Sequence, residues 1–396
     1  MKNLIFKLTI ITFATLIFNS CQQNFDVKKV NSIINEVKNK YAPDKRVAIF
    51  NINVENSGGK IKLVGESNLE DGVNELMNEL EKQNLSVVNE VNILPDNKLG
   101  EKIYGIVRLS VANIRSKPSH PAELATQALM GSTVNILKKE NGWYLVQTPD
   151  GYISWVDDDG IHPITKEEVK NWKNSKRVII TEQYTSAFAE PGTNSKKISD
   201  LVDGNILKKI SNTGKFTEVG FPDGRVGFVI SSHLKDFDIW AKNAVADKNT
   251  IIKTAFNFMG LPYLWGGTSS KGVDCSGFTK TVFFLNGVVM PRDASQQVNV
   301  GELVDTENNF DNLQEGDLLF FGKKASEDNK EKITHVAIYI GEGKYIHSAG
   351  IVRINSLIKD SEDFNEYRYN TFIRAKRIIG NYDSGENLVK NNPFYN

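Results

Sequence analysis

Residues 274–285 read Asp274-Cys275-Ser276-Gly277-Phe278-Thr279-Lys280-Thr281-Val282-Phe283-Phe284-Leu285. Phe278, Val282 and Leu285 recur at helical spacing, Asp274 is a suitable N-cap and Gly287 a suitable C′ residue. The stretch therefore predicts a helix with Cys275 in its first turn. A thiol there meets unpaired backbone N–H groups and the positive helix end, and both favour thiolate, the nucleophilic form. The same position also suits an inert buried cysteine. The chain has only one other cysteine, Cys21. If that residue is acylated or removed, Cys275 has no disulfide partner, and a lone thiol in an exported protein needs a reason.

Working outward from the cysteine, Thr250 to Phe258 predicts a preceding helix. Strands follow at Asp317-Leu318-Leu319-Phe320-Phe321, Thr334 to Ile340, Lys344 to Ser348 and Phe372-Ile373-Arg374-Ala375. Helices first and an antiparallel sheet later make residues 245–380 an α+β domain. His335 and His347 lie on two of these strands, joined by the turn Gly341-Glu342-Gly343. If Ile340 pairs with Lys344, His347 lies opposite Ala337, and His335 and His347 are diagonal neighbours on one face. That geometry suits one histidine as base to Cys275 and the other as its orienting partner; a one-residue slip would break it. One cysteine and two histidines could also supply three zinc ligands, but nothing resembles the tight spacing of structural zinc sites, and no nearby acid is placed as in zinc peptidases. No metal is expected.

The flanking sequence supplies the context. The 396 residues suggest two to four domains at about 150 residues each. With 40% hydrophobic and 24% charged residues, a disordered, collagen-like or multi-span membrane chain is excluded. Two cysteines exclude a disulfide scaffold and a four-cysteine zinc site, and 48 bases against 48 acids give no field that argues for nucleic acid. Residues 1–21 carry Lys2 and Lys7, an apolar run from Leu4 to Phe18, then Asn19-Ser20-Cys21. They fit a secretory signal peptide. Residues 22–100 read as a small α/β domain. Helices at Val27 to Tyr41 and Leu69 to Lys82, the latter with Asn68 as N-cap, flank two strands joined at Asn56-Ser57-Gly58-Gly59, and Leu85 to Ile93 closes the unit.

Residues 101–165 and 166–240 form an internal repeat. Asn135-Ile136-Leu137-Lys138-Lys139 recurs as Asn205-Ile206-Leu207-Lys208-Lys209, and Pro149-Asp150-Gly151 as Pro222-Asp223-Gly224. Trp143 matches Phe216 and Val156 matches Val229. Short strands without a long helical period predict two small all-β barrels. Residues 381–396 read as a loose polar tail.

Several of these strings carry family resemblances. The Cys following a small residue at Ser20-Cys21 resembles a bacterial lipobox, which implies a lipid anchor on Cys21 and a membrane-anchored lipoprotein of the cell envelope; the alternatives are an ordinary signal cut near Ser20 or an uncleaved anchor. Val111-Ala112-Asn113-Ile114-Arg115-Ser116-Lys117-Pro118 and Gly142-Trp143-Tyr144-Leu145-Val146 resemble bacterial SH3-like barrels of exported cell-wall proteins. Pro262-Tyr263-Leu264-Trp265-Gly266-Gly267, Asp274-Cys275-Ser276-Gly277-Phe278, Pro291-Arg292-Asp293-Ala294-Ser295-Gln296-Gln297, Gly316-Asp317-Leu318-Leu319-Phe320-Phe321 and His335-Val336-Ala337-Ile338-Tyr339 occur in that order. Together they resemble the NlpC-type papain-like cysteine peptidases that cut bacterial cell-wall peptides.

This resemblance implies a papain-like catalytic domain with Cys275 as nucleophile, His335 as base and His347 as the residue orienting it. Tyr263 and Trp265 would line the cleft, Gly266 and Gly267 would let backbone approach it, and no cofactor is implied. With barrels in front, the chain further resembles the γ-D-glutamyl-L-diamino-acid endopeptidases of dipeptidyl-peptidase type. There the first barrel closes one end of the cleft and helps hold the free amine of an N-terminal L-Ala. On that resemblance Glu123 and Tyr152 are amine-side ligands, and Asp274 and Ser276 are further substrate contacts. Ala294 stands where that subgroup often has Ser, with Ser295 next. The expected partners are peptidoglycan-derived peptides, and the membrane through the lipid. The rival readings are a broader hydrolase of intact peptidoglycan, a non-catalytic wall-binding protein and, more distantly, an acyltransferase or amidase.

Overall fold

A computed structural model describes residues 27–57, 60–307 and 309–396, and the chain divides after Leu99 into two compact units. The leader with Cys21 lies outside the described residues. No helix among the described residues is long and apolar enough to cross a membrane.

In the first unit, residues 27–41 are helical and bury Val30, Ile33, Ile34 and Val37, the periodic face expected from the sequence. Phe50–Ser57 pairs antiparallel with Lys60–Ser67, and Val87–Ile93 joins the latter in parallel after a crossover through the helix Glu70–Lys82. Asn68 does not cap that helix. Its Oδ1 accepts the Ile49 N–H at 2.7 Å, because a neighbouring strand end offers a buried donor that must be satisfied.

The second unit holds the repeat and the cysteine domain. Two seven-stranded antiparallel sheets run from Tyr104–Val107 to Ile161–Ile164 and from Arg177–Ile180 to Leu234–Asp236. Counted within each copy, both have the spatial order seventh-first-fourth-fifth-sixth-second-third. Val156 and Val229, equivalent in the repeat, are buried in their respective copies. Gly151 and Gly224 sit at φ of +82° and +86° in the matching Pro-Asp-Gly turns. Between the copies, helix Lys166–Asn174 starts at a Thr165/Glu168 capping box and buries Val169 and Trp172.

Within the cysteine domain, α1 (Lys248–Asn257) is capped by Asp247 and Thr250. A short hairpin of β1 (Thr268–Ser269) and β2 (Gly272–Val273) leads into α2 (Cys275–Phe284), and α3 (Ala294–Gln297) follows. The sheet comprises β3 (Glu302–Val304), β4 (Leu318–Lys323), β5 (Lys332–Gly341), β6 (Lys344–Ala349), β7 (Ile351–Ser356) and β8 (Phe372–Arg377), with α4 (Glu366–Asn370) before β8. Its order is β3-β8-β4-β5-β6-β7. Phe278, Val282 and Phe283 of α2 pack on Phe320, Val336, Ile338 and Ile346 of the sheet.

The tail is not loose. Val389 is fully buried and Tyr395 nearly so, in one apolar cluster with Ile106 and Leu129 of the first repeat copy, Ile206 of the second, Trp172, Phe237 and Phe284. Buried Arg177 donates to the Tyr395 carbonyl at 2.8 Å. The polar composition of residues 381–396 hides this, because a few anchors, not the average, decide docking.

Candidate active site

Cys275 is the first residue of α2, and Asp274 caps the helix by accepting the Gly277 N–H at 2.7 Å. The helix start is locked into its loop. Asp274 also accepts the Gly266 N–H at 2.9 Å and a two-pronged grip from Arg292, at 2.6 and 3.2 Å. Arg292 is buried and donates to the Ser276 Oγ at 3.0 Å. Burial opposes its charge, but the Asp274 carboxylate outweighs this and raises its pKa. Asp274 and Ser276 both line the cleft, yet their polar atoms are engaged with one another and with Arg292. Gln297 ties the same corner, bonding the Thr279 hydroxyl and the Ser276 and Pro291 carbonyls.

β5 carries His335 and β6 His347. Ile338 faces Ile346 and Tyr339 faces Tyr345, in the register expected; Ile340 bulges out, however, and Lys344 pairs with Gly341. The imidazoles meet as foreseen, with His335 Nε2 and His347 Nδ1 2.7 Å apart. His347 Nε2 lies 2.9 Å from Asn355 Oδ1 on β7. Asn355 Nδ2 donates to the Asp363 carbonyl at 3.1 Å, which settles which end of the amide is oxygen. The protons follow. Asn355 Oδ1 can only accept, so His347 Nε2 carries the proton and its Nδ1 accepts from His335 Nε2–H. A neutral His335 is then left with an unprotonated Nδ1, the nitrogen able to act as a base.

Both histidines are held neutral. Burial, then Arg368, then His347 keep His335 well below its ordinary pKa; burial lowers His347 to about 4. For Cys275 the expectation of a thiolate at the helix start needs correction. Burial, reinforced by Asp274, pushes the thiol up to about 11, against the N–H groups of Val336 and Ser276 and the charge of Arg292. The residue is only 8% exposed, so desolvation of a thiolate outweighs what the helix start returns. The resting pair is thus neutral thiol and neutral imidazole. Tyr263, in the same cleft, is raised to about 12 by burial and by Cys275.

The cleft, of about 670 Å³, is lined by Cys275, His335, Tyr263 and Trp265 and also by Glu123 and Tyr152 from the first repeat copy. The two parts touch closely. Trp265 Nε1 donates to Glu123 Oε1 at 2.7 Å, and the Thr268 N–H and hydroxyl bond to Gln127. Gly266, at φ +81°, allows the approach: a Cβ there would lie 2.2 Å from the Leu124 carbonyl oxygen. Three features of the site escape the sequence reading. Asn355 lies on an unforeseen strand, Arg292 was seen only as part of a string, and Arg368 comes from the short helix α4. None has a local signal, since each acts through residues distant in sequence.

A thiol at a helix start beside a histidine relay, on an antiparallel sheet, defines a cysteine peptidase fold of the papain-like type. Residues 260–374 match the NlpC/P60 family and residues 114–161 the bacterial dipeptidyl-peptidase SH3 domain. The chain is 30% identical over 270 residues to dipeptidyl-peptidase 6 of Lysinibacillus sphaericus, covering 64% of this chain and 91% of that protein. It is 31% identical to a gamma-D-glutamyl-L-lysine dipeptidyl-peptidase of Bacillus cereus, over 57% of this chain and 67% of that one. A solved NlpC/P60 protein from Bacillus cereus superposes with a TM-score of 0.56 at 25% identity, covering 70% of this chain and 99% of its own. The chain belongs to the NlpC/P60 family of cysteine peptidases, with an SH3-like domain at residues 114–161 ahead of the catalytic one.

Proposed function

We propose that this chain hydrolyses the bond between γ-D-Glu and a diamino acid in short peptidoglycan stem peptides that have a free N-terminal L-Ala. The observation that carries this reading is that Glu123 and Tyr152 of the first SH3-like copy complete the cleft holding Cys275 and His335. Glu123 engages Trp265 through one oxygen, which aims the carboxylate and leaves the second oxygen for an ammonium group. The name of the Bacillus cereus relative, a gamma-D-glutamyl-L-lysine dipeptidyl-peptidase, supports the same bond type.

In the proposed reaction Cys275 Sγ attacks the γ-carbonyl carbon of D-Glu while His335 Nδ1 takes the thiol proton. The concerted transfer suits a neutral pair, because no buried thiolate need exist beforehand. The Cys275 backbone N–H, unspent at the helix start, faces the developing oxyanion. His335 returns the proton to the departing α-amine. Water, deprotonated by His335, then releases the L-Ala-γ-D-Glu acyl group from sulfur as the free carboxyl, and His335 returns the proton to Cys275 Sγ. His347 and Asn355 hold the His335 tautomer throughout. Tyr263 and Trp265 line the bound peptide, and Asp274 and Ser276 fix the nucleophile's turn. Export, and lipid attachment through Cys21, belong to the same proposal; Cys21→Ser should then move the protein out of the membrane fraction.

The test is kinetic. Cys275→Ala should abolish cleavage of L-Ala-γ-D-Glu-L-Lys without loss of fold. Glu123→Ala should cost about ten- to a hundredfold in kcat/KM on that peptide, as expected for losing a charge-assisted hydrogen bond, and little on its N-acetylated form. Equal cleavage of free and acetylated peptides, or of intact sacculi, by the parent chain would replace this reading with the broader wall hydrolase.

A further inference from the structure

The cleft contains a cation that the proposed chemistry does not use. Arg368, on α4, lines it together with Cys275 and His335. The Asn365 side chain caps α4 by accepting the Arg368 N–H at 3.0 Å, which fixes the backbone from which the guanidinium extends. The guanidinium lies over the rings of Phe321 and Tyr367, 5.8 and 5.3 Å from their centres. Phe321 in turn packs against His335, with ring centres 5.8 Å apart. Arg292, the other cleft guanidinium, is taken up by Asp274. Among the described residues Arg368 has no carboxylate partner and no side-chain hydrogen bond. A half-buried guanidinium held on aromatic faces, with its N–H fork unspent, is a carboxylate receptor.

Resting on the peptidase reading above, we infer that Arg368 binds the free α-carboxylate of the departing diamino acid and selects peptides that end at that residue. Three observations support the assignment. The acid Glu123 stands on the SH3-like wall, whereas Arg368 and exposed Lys332 belong to the catalytic-domain wall, so the charges match a short zwitterionic peptide laid amino end to the barrel. The departing amine takes its proton from His335, and His335 and Arg368 share Phe321 as a floor. Finally, that amine and the diamino acid's α-carboxylate are attached to one carbon, which brings the carboxylate to the same place. The α-carboxylate of D-Glu is three carbons from the attacked carbonyl and has no such tie to His335.

Three peptides test this: L-Ala-γ-D-Glu-L-Lys, its C-terminal amide, and the analogue amidated on the D-Glu α-carboxylate. The parent chain should prefer the acid over the C-terminal amide by about ten- to a hundredfold in kcat/KM, mostly through KM. Arg368→Gln should erase that preference, read as the acid-to-amide ratio of kcat/KM within each chain, and Arg368→Lys should keep part of it. Equal cleavage of acid and amide by the parent chain, or an equal loss on both in Arg368→Gln, would overturn the assignment. So would an Arg368→Gln chain that becomes indifferent to amidation of D-Glu instead. Calorimetric binding of the three peptides to Cys275→Ala separates this subsite from the peptidase reading. Preference for the free C-terminal carboxylate there, with no turnover by the parent, would keep the subsite and reject the peptidase reading. Turnover without such a preference would do the reverse.

Discussion

At His335 the position of a single proton depends on Asn355, two hydrogen bonds away. Asn355→Ala removes the acceptor that keeps His347 protonated on Nε2, so His335 loses its tautomer but not its place. We expect kcat to fall about ten- to a hundredfold with KM little changed, less than the loss for His335→Ala, whose proposed general-base role would be worth about a hundred- to ten-thousandfold. Because burial keeps both imidazoles neutral far into acid, the acid limb of kcat/KM in the parent should lie well below pH 6.5, with the plateau reached before neutrality. Asn355→Asp keeps an acceptor but adds a negative charge, which favours imidazolium and should move that acid limb to higher pH. An unmoved limb would show that the relay does not control the titrating group.

At the scale of elements, the start of α2 is seated with no spare volume. A Cβ on Gly277 would lie 1.9 Å from the Gly267 carbonyl oxygen, so Gly277→Ala must push the first turn of α2 off its loop. Overpacking of this kind costs about 1–3 kcal/mol, which denaturant unfolding will show as a lower midpoint with an unchanged slope. Gly266→Ala acts elsewhere, against the Leu124 carbonyl, and should spread the SH3-like wall from the cleft. KM for the free-amine peptide should rise more than for the acetylated one. The helix itself was legible because its apolar spacing, cap and C′ glycine are all local. β7 was not read as a strand: Arg353 and Asn355 interrupt its apolar run, and its identity comes from pairing with β6.

Over the whole second unit, two joints act besides the Glu123–Trp265 and Gln127–Thr268 contacts. The first is the cluster around Tyr395. Deleting residues 388–396 exposes what Val389 and Tyr395 cover, and at about 1.5–3 kcal/mol for each large side chain the loss should be about 3–6 kcal/mol. Thermal unfolding of the truncated chain checks it; an unchanged Tm would mean that the tail does not hold the cluster. The second joint is Asp203 of the second SH3-like copy, which accepts the Ser270 hydroxyl beside β1. Burial pushes Asp203 up to about 6 from 3.8, so the folded chain binds this proton more tightly and loses stability as pH rises through 6, by up to about 3 kcal/mol. His347, lowered from 6.5 to about 4, has the opposite slope and loses a similar amount as pH falls over that window. Asp203 opposes this slope in the parent, and His335, also lowered, adds to it. Asp203→Asn should therefore be more stable than the parent above pH 6 and should decline more steeply than the parent as pH falls from 6 toward 4. Parallel pH–stability curves for the two chains would refute this.

The sequence by itself determined the helix that starts at Cys275, the β5–β6 hairpin that brings the two histidines together, and the duplicated β-unit, because caps, turns, alternation and repeats act between near neighbours. It also held the motif strings that mark the family. Tertiary structure alone decided the protonation state of Cys275, which burial sets against the local helix field. It alone added Asn355 to the relay, brought Glu123 to Trp265 across 142 positions, and folded the polar tail into the core. Each of these depends on desolvation or on contact between distant segments, and neither is encoded in the spacing of adjacent residues.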